Sequence, residues 1–469
     1  MDDVMFKIKK IINNDKFKFF SKLLIIGLFL IFSILVAGRH EHWSDEAQSF
    51  LLARDNSFLE IFKYIKYEGT PPLWVLVIKI FILFGGTYKT FYILPIIFNT
   101  IGLVLLLYKV KVPWYIKVLF PFTYFIFFQY SIVARSYCMV FPMLMIIALI
   151  YKKRFDKPIL YSFILFLFMN ISLHTLMIAG SFYLIYIIES ILDKKIKLKK
   201  VKLGLVLMFI MFLLTTIIVF PSSDCDFGVC VMVSLFMVLM EATIGSNLNV
   251  FLETLFGIII LVVFIVSLNR TRLINFLILL LPVSFVLMFV AFQIWHVGVI
   301  WLLMFSYFII SGAIMDSRLI KIFVVIVCLV QGYWNVSSII YDYNNNNTGA
   351  YDTYKYLEDY VNDDYKIYGF GYSKTAINPY FDKNIFDNKL IDKAFHIWIS
   401  GSKEMNLMDV IDPNVDIFVI SDFYKNDYLS LISFLEYNDY EKYEFEGFSY
   451  IKDHIYETQG FIVYKKKKL

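Results

Sequence analysis

The chain has 469 residues, of which 59% are hydrophobic and 19% aromatic, with 49 Phe and 33 Tyr. A mean hydropathy of +0.68 and repeated runs of about 15–22 residues with almost no charge exclude an ordinary soluble globular protein and predict a polytopic membrane protein. The net charge of +5 is unevenly spread, so its meaning lies in where the basic residues fall; membrane lipid, not nucleic acid, is the expected surroundings.

The N-terminus carries Lys7, Lys9, Lys10, Lys16, Lys18 and Lys22 ahead of the first apolar run and has no small-residue cleavage site. It reads as a retained anchor with a cytoplasmic N-terminus. Spans are predicted at 20–38, 88–108, 114–130, 137–151, 158–171, 174–191, 203–220, 248–267, 273–293, 297–314 and 319–339. With these eleven crossings, Lys109–Lys111, Lys152–Arg154, Lys194–Lys202, Arg270–Arg272 and Arg318–Lys321 all fall inside, as the positive-inside rule requires. The apolar stretch 72–84 is too short to span comfortably and is assigned to a half-embedded helix on the outer side. The segments 158–171 and 174–191 are also short. One tilted helix there would invert everything that follows; the charge alternation favours two.

The first outer loop, residues 39–88, opens with "GRHEHWSDEAQSFLLARD". Ser44 or Asp45 is suited to cap a helix whose Ala47, Phe50 and Leu51 share a face. Ser57 and Glu60 have capping-box spacing for a second, amphipathic helix with Phe58, Ile61, Phe62 and Ile65 on one side, lying in the membrane interface. "YEGTPPLW" then turns the chain into the half-embedded helix, where Pro71 and Pro72 suit a first turn. The adjacent acids Asp45 and Glu46 admit two readings. Carboxylates in a first helical turn complement the helix dipole by up to about 1 kcal/mol. Alternatively, they are a catalytic acid pair facing a lipid-linked substrate.

The second outer point, "QYSIVARSYCMV", contains Arg135, the sole Lys or Arg of the short outer loops. It runs against the topology signal and so calls for a partner: a snorkelling contact with the interface, or a phosphate held bidentately by the guanidinium. His174 and His296 each begin a span from the outside, as interfacial polar groups or as donors to such a phosphate. Asp224, Asp226 and Glu241 are most simply solvated. Cys138 and Cys328 fall in apolar runs, while Cys225 and Cys230 share an outer loop in which a disulfide is sterically allowed. No Cys/His cluster argues for a structural metal.

Residues 340–469 are expected to form an exported α/β domain after the transmembrane module 1–339. Asn344–Asn347 reads as a linker. Strands at "KIYGFGY" and "VDIFVIS" alternate with helices at "YDTYKYLEDYV" and "YLSLISFLEY", a pattern of two packed layers. Lys465–Lys468 reads as a solvated tail, with contact to anionic lipid or wall polymer as the alternative.

The order of these features resembles the GT-C class of polytopic glycosyltransferases, in the group of protein O-mannosyltransferases and bacterial aminoarabinose and mannosyl transferases. The resemblance covers about residues 20–190. Asp45 and Glu46 match the first-loop acid pair. Pro71, Pro72 and Leu73 match an HPPL turn, with Thr70 in place of its histidine. Tyr130, Ser131, Ala134, Arg135 and Tyr137 match a YSQEARxY motif, with Ile132 and Val133 replacing its polar pair, so the role of that glutamate is either lost or taken by Glu68. His296 and Gly298 resemble a later histidine–glycine signature. The resemblance implies a GT-C-like fold and an inverting transfer of a sugar from a polyprenyl-phosphate donor to a glycan, lipid or protein acceptor on the outer face of the plasma membrane. Asp45 would be the general base, Glu46 or Glu68 would orient the acceptor or tune that base, and Arg135, Tyr137 and His296 would hold the departing phosphate. A divalent ion between acids and phosphate is compatible with this chemistry, but no ligand set demands one. The rival readings are a lipid-carrier transporter or flippase, a glycan polymerase or ligase of another fold, and a structural membrane protein whose exported domain binds a partner.

Overall fold

The computed structural model describes residues 15–223, 233–245, 249–289, 293–361, 365–388, 393–397, 414–452 and 454–467. Cys225 and Cys230, Asp224 and Asp226, the basic residues Lys7–Lys10 and the terminal Lys468 lie outside them. The chain is mostly helical, with its strands gathered near the C-terminal end. Among the described residues, eight helices are long and apolar enough to cross a membrane: Lys16–Ala37, Tyr88–Tyr108, Ser136–Lys153, Leu173–Leu192, Lys199–Val219, Val250–Ser267, Arg270–Phe289 and Arg318–Asn344. Their outer faces stay apolar. On Lys199–Val219, for example, Val206, Phe209, Leu213, Leu214 and Ile217 are all exposed, an exterior suited to lipid and costly in water.

The three other predicted spans are shorter or broken. Segment 114–130 is an α-helical start (Trp114–Leu119), a 3-10 turn (Phe120–Phe122) and a π turn (Phe125–Gln129). Pro121 supplies no N–H to an α ladder, and this stretch is enclosed by protein, with Tyr124 through Tyr130 all buried. Irregular backbone at membrane depth is tolerated under that condition. Pro158–Met169 has 12 residues and Ile294–Ile310 has 17. The stretch 158–191 is two helices: Ser172 caps the second, its Oγ accepting from Thr175 N at 3.2 Å while Thr175 Oγ1 accepts from Ser172 N at 2.9 Å.

The loops expected to share one side do meet. Arg154 pairs with Glu189 at 2.6 Å, Asn275 reaches the same carboxylate at 3.4 Å, and Arg272 pairs with Asp316 at 3.2 Å. At the other end, the first-loop helix Ser44–Arg54 packs on the helix Leu73–Leu83, between them the amphipathic helix Phe58–Tyr64. Its capping box is formed, Ser57 N donating to Glu60 Oε2 at 2.8 Å. Ile61 and Ile65 point inward, and Phe58 and Phe62 stay exposed. Helix Ser44–Arg54 differs from expectation at its start. The cap is Trp43, whose N–H donates to Glu46 Oε2 at 3.1 Å, because Glu46 sits at the third helical position and reaches back.

The C-terminal part is an α/β unit. Strands β1 (Ile367–Phe370), β2 (Ile417–Ser421), β3 (Tyr440–Phe445) and β6 (Phe461–Lys466) form a mixed sheet in the order β1-β2-β6-β3. Alternating side chains serve two cores. Ile367, Ile417, Val419, Phe461 and Val463 pack under the helix Ala350–Val361, while Phe370, Phe418, Ile420, Ile462 and Tyr464 pack under Leu429–Tyr437. Two expectations are corrected here. Asn344 ends the last long helix and Asn345 caps it; their side chains donate to Ile340 O and Tyr341 O, and Asn347 donates to Glu41 O at 3.0 Å, so the tract is anchored rather than a free linker. Lys465 and Lys466 belong to β6, where Lys465 Nζ donates to Tyr360 Oη at 3.1 Å.

A hairpin of β4 (Phe448–Ile451) and β5 (His454–Glu457) leaves this sheet and reaches the helices. Ser338 Oγ donates to Tyr450 O at 3.0 Å. At the hairpin's tip Lys452 is buried, its Nζ 2.5 Å from Glu241 Oε2 and 5.0 Å from the centre of the Trp334 ring. Glu241 is therefore not solvated as the sequence suggested. It neutralises a lysine inserted from a segment 211 residues away.

Candidate functional site

Helix Ser44–Arg54 presents Asp45, Gln48, Ser49 and Leu52, at i, i+3, i+4 and i+7, to a cavity of about 340 Å³. That spacing is one helical face. Around it stand Tyr67, Glu68, Thr70, Pro71 and Trp74 from the rest of the first loop and Arg135, Ser136 and Tyr137 from the segment 129–140. Tyr372, Thr375 and His396 close it from the C-terminal unit, a wall that sequence reasoning missed.

Of the residues predicted for the site, Asp45, Glu68, Arg135 and Tyr137 meet at this cavity. Arg135 Nη1 lies 2.8 Å from Asp45 Oδ2, with both side chains partly exposed. The guanidinium carbon also lies 5.6 Å from the Trp43 ring, 5.8 Å from Tyr137 and 5.7 Å from Trp295, within reach of cation–π attraction. Glu68 is half-buried and accepts from Gln48 Nε2 at 2.7 Å. Desolvation pushes its carboxyl up to about 7, the Gln48 hydrogen bond opposing and the Asp45 charge adding to the rise. It therefore titrates near neutrality. Gln48 is held in turn by this C-terminal wall, the cavity's lid, donating to His396 O at 2.7 Å and accepting from His396 N at 2.8 Å.

Glu46 and His296 lie elsewhere. Consecutive helical residues are about 100° apart, so Glu46 turns from the cavity into the protein and is fully buried. Its Oε1 accepts from Ala134 N at 2.6 Å and sits 2.7 Å from His42 Nδ1. It thus clamps the backbone next to Arg135 onto the helix that carries Asp45. Burial alone would raise the Glu46 carboxyl; the charge of His42 and the hydrogen bonds of His40 and His42 outweigh it and hold the group well below the usual range. His296 stacks in a cluster behind the cavity, its ring 5.5 Å from Tyr137 and 4.7 Å from His174. Gly298 has a packing role: a Cβ there would collide with Phe125 and the Tyr130 hydroxyl.

A second cluster was not anticipated. One ligand atom from each of His40, His42 and Glu46 lies within 4.8 Å of the others, and all three residues are buried. Asp342, from the last long helix, holds His40 Nδ1 with both oxygens, at 3.0 and 3.1 Å.

Compared with known proteins, the chain matches no family model, no curated protein and no solved structure.

Proposed function

We propose that this membrane protein is an inverting glycosyltransferase of GT-C-like architecture that uses a polyprenyl-phosphate-linked sugar and acts on the outer face of the membrane. The observation that carries the reading is the meeting of two carboxylates, Asp45 and Glu68, with one guanidinium, Arg135, on a single cavity. Transfer to a hydroxyl needs a base on one side of the anomeric carbon and a cation on the phosphate at the other. Arg135 is paired with Asp45. A donor phosphodiester, whose charge grows as the sugar leaves, takes the guanidinium with two oxygens in its planar fork and frees the carboxylate. Asp45 then accepts the proton of the acceptor hydroxyl as its oxygen bonds to the anomeric carbon. The bond from that carbon to the phosphate oxygen breaks, and its electron pair leaves with the polyprenyl phosphate. Glu68, held by Gln48, accepts a hydrogen bond from the acceptor in its ionised form. Tyr137 flanks Arg135, and His296 supports Tyr137 from behind. The acceptor would enter under Tyr372 and His396.

The test is single-turnover release of polyprenyl phosphate, followed by mass spectrometry, from the purified protein in lipid nanodiscs given a polyprenyl-phosphate hexose and an extract of surface glycans. Release by the wild type and none by Asp45→Asn supports the reading. A wild type that moves the lipid-linked sugar between leaflets and never cleaves it would establish the transporter instead.

A further inference from the structure

Residues 40–46 carry the pattern His-x-His-x-x-x-Glu. The first two positions precede helix Ser44–Arg54 in non-helical backbone, where alternate residues share a side; Glu46 follows His42 by one helical turn. All three side chains therefore converge, well apart from the cavity face of the same helix. His40 Nε2 stands 3.5 Å from Glu46 Oε2 and His42 Nδ1 stands 2.7 Å from Glu46 Oε1.

We propose that His40 Nε2, His42 Nδ1 and the Glu46 carboxylate form a site for one divalent transition-metal ion of the zinc type. Two imidazoles and a carboxylate are a recurrent zinc donor set. Three further observations point the same way. His40 Nε2 is buried and turned toward Glu46, 3.5 Å from Oε2. Asp342 grips the opposite nitrogen of that ring through both oxygens, the carboxylate–histidine arrangement that orients a metal ligand and raises its basicity. Two buried carboxylates, Glu46 and Asp342, with side chains 0% and 4% exposed, need two positive charges beside them. One divalent ion between neutral imidazoles supplies both.

The ion has an access path and room for a water ligand. His40 and His42 also line a cavity of about 580 Å³ whose wall includes Glu41, Lys89 and Asp342. The ion would join three separate parts of the chain: the entry to helix Ser44–Arg54, the backbone at Ala134 through Glu46, and the end of the last long helix through Asp342. The inference is independent of glycosyl transfer, since none of the three ligands lines the Asp45 cavity.

The full-length protein, purified in detergent, is stripped with a chelator, reloaded with Zn2+ at micromolar free concentration, dialysed and assayed by elemental mass spectrometry. The expected content is about one Zn2+ per chain, with a rise in thermal midpoint on reloading and visible ligand-field bands when Co2+ is loaded instead. Asp342→Asn should weaken the metal by about 10–100-fold, and His42→Asn should abolish binding. Asp45→Asn, adjacent in sequence but not a ligand, should keep the full content. A wild type that holds only background Zn2+ and melts at the same temperature with and without it overturns the proposal. So does a His42→Asn protein that binds as the wild type does. Because the wild-type stoichiometry decides by itself, a variant that fails to fold leaves the test intact.

Discussion

Arg135 and Asp45 face each other at 2.8 Å on the wall of the cavity, although they come from separate segments of the chain. Arg135 Nη1 is close to the carboxylate without the alignment of a hydrogen bond, so the pair is an ion contact that a better acceptor can replace. Lysine would keep the charge and lose the planar fork. Charge-assisted bonds to phosphate are worth roughly 1.5–3 kcal/mol. Arg135→Lys is therefore expected to lower sugar transfer about ten- to a hundred-fold with every acceptor, membrane insertion being unchanged. Equal activity of the two proteins at limiting donor would return Arg135 to an interfacial role.

Asp45→Asn preserves the shape of the side chain and removes the base. The expected loss of transfer is about 10²–10⁴-fold, with donor binding retained or tightened because Arg135 is released. Binding is measured by a fluorescent polyprenyl-phosphate analogue and turnover by mass spectrometry. Near-normal turnover would leave Asp45 as a helix-dipole carboxylate.

Glu68 supplies a pH signature. Its carboxyl, raised to about 7, is ionised above that pH and protonated below it. The groups around it are Asp45, Arg135, Tyr67, Tyr137, Tyr372 and His396. If its ionised form holds the acceptor, kcat/KM falls as pH drops through about 7, and Glu68→Gln flattens that limb. Stability moves the other way. A carboxyl raised on folding costs nothing below its unfolded pKa, and the cost grows as pH rises toward 7. Glu68→Gln should thus raise the thermal midpoint at pH 8 and leave it almost unchanged at pH 4. An acid limb that survives in the variant assigns it to another group.

Lys452 and Glu241 give a stability test away from the cavity. Lys452→Met strands a buried carboxylate, and breaking such a pair typically costs about 3–5 kcal/mol. The double variant Lys452→Met, Glu241→Leu removes both charges and should recover most of that loss. Limited proteolysis of the hairpin reads the effect: fast cleavage in the single variant, slow cleavage in the double. Equal cleavage in all three proteins would show that the insertion of the hairpin does not depend on the pair.

Topology is checked by single cysteines in place of exposed residues. One at Asn345 should react with an impermeant thiol reagent in intact cells, and one at Lys153 should not. The reverse pattern would invert the whole arrangement and remove the outer-face reading with it.

Long helices were legible in the sequence because a lipid-facing side chain and a core-facing one are both apolar, so the runs stand out whatever they pack against. The first-loop capping box and the first two strands were legible for local reasons: Ser57 and Glu60 satisfy each other, and β1 and β2 are buried on both faces. The third strand was hidden because "YEKYEF" exposes Glu441 and Lys442 at a sheet edge, where composition resembles a loop. Within the site, Asp45 and Arg135 carried visible signals: an acid at a helix start, a cation where the topology disfavours one. The pair Asp45–Glu46 was misleading as a unit, since adjacency along a helix separates side chains rather than uniting them. Gln48, Tyr372 and His396 were invisible because their meeting depends on a contact spanning 348 residues. The role of Asp342 was hidden for the same reason, His40 being 302 residues away.

The lid has a consequence for how the protein comes to life in the cell. Gln459 donates to Ser44 Oγ at 2.6 Å and accepts from Ser44 N at 2.8 Å, across 415 residues of chain. These contacts seat the C-terminal unit on the helix that bears Asp45. Synthesis reaches Ser44 of the first loop 415 residues before Gln459. During that interval the early acids stand in a half-built groove, open to water and without the roof formed by Tyr372 and His396. A chain that stops before Gln459 would therefore keep the charged groups of the cavity's floor and lose this anchor of its roof.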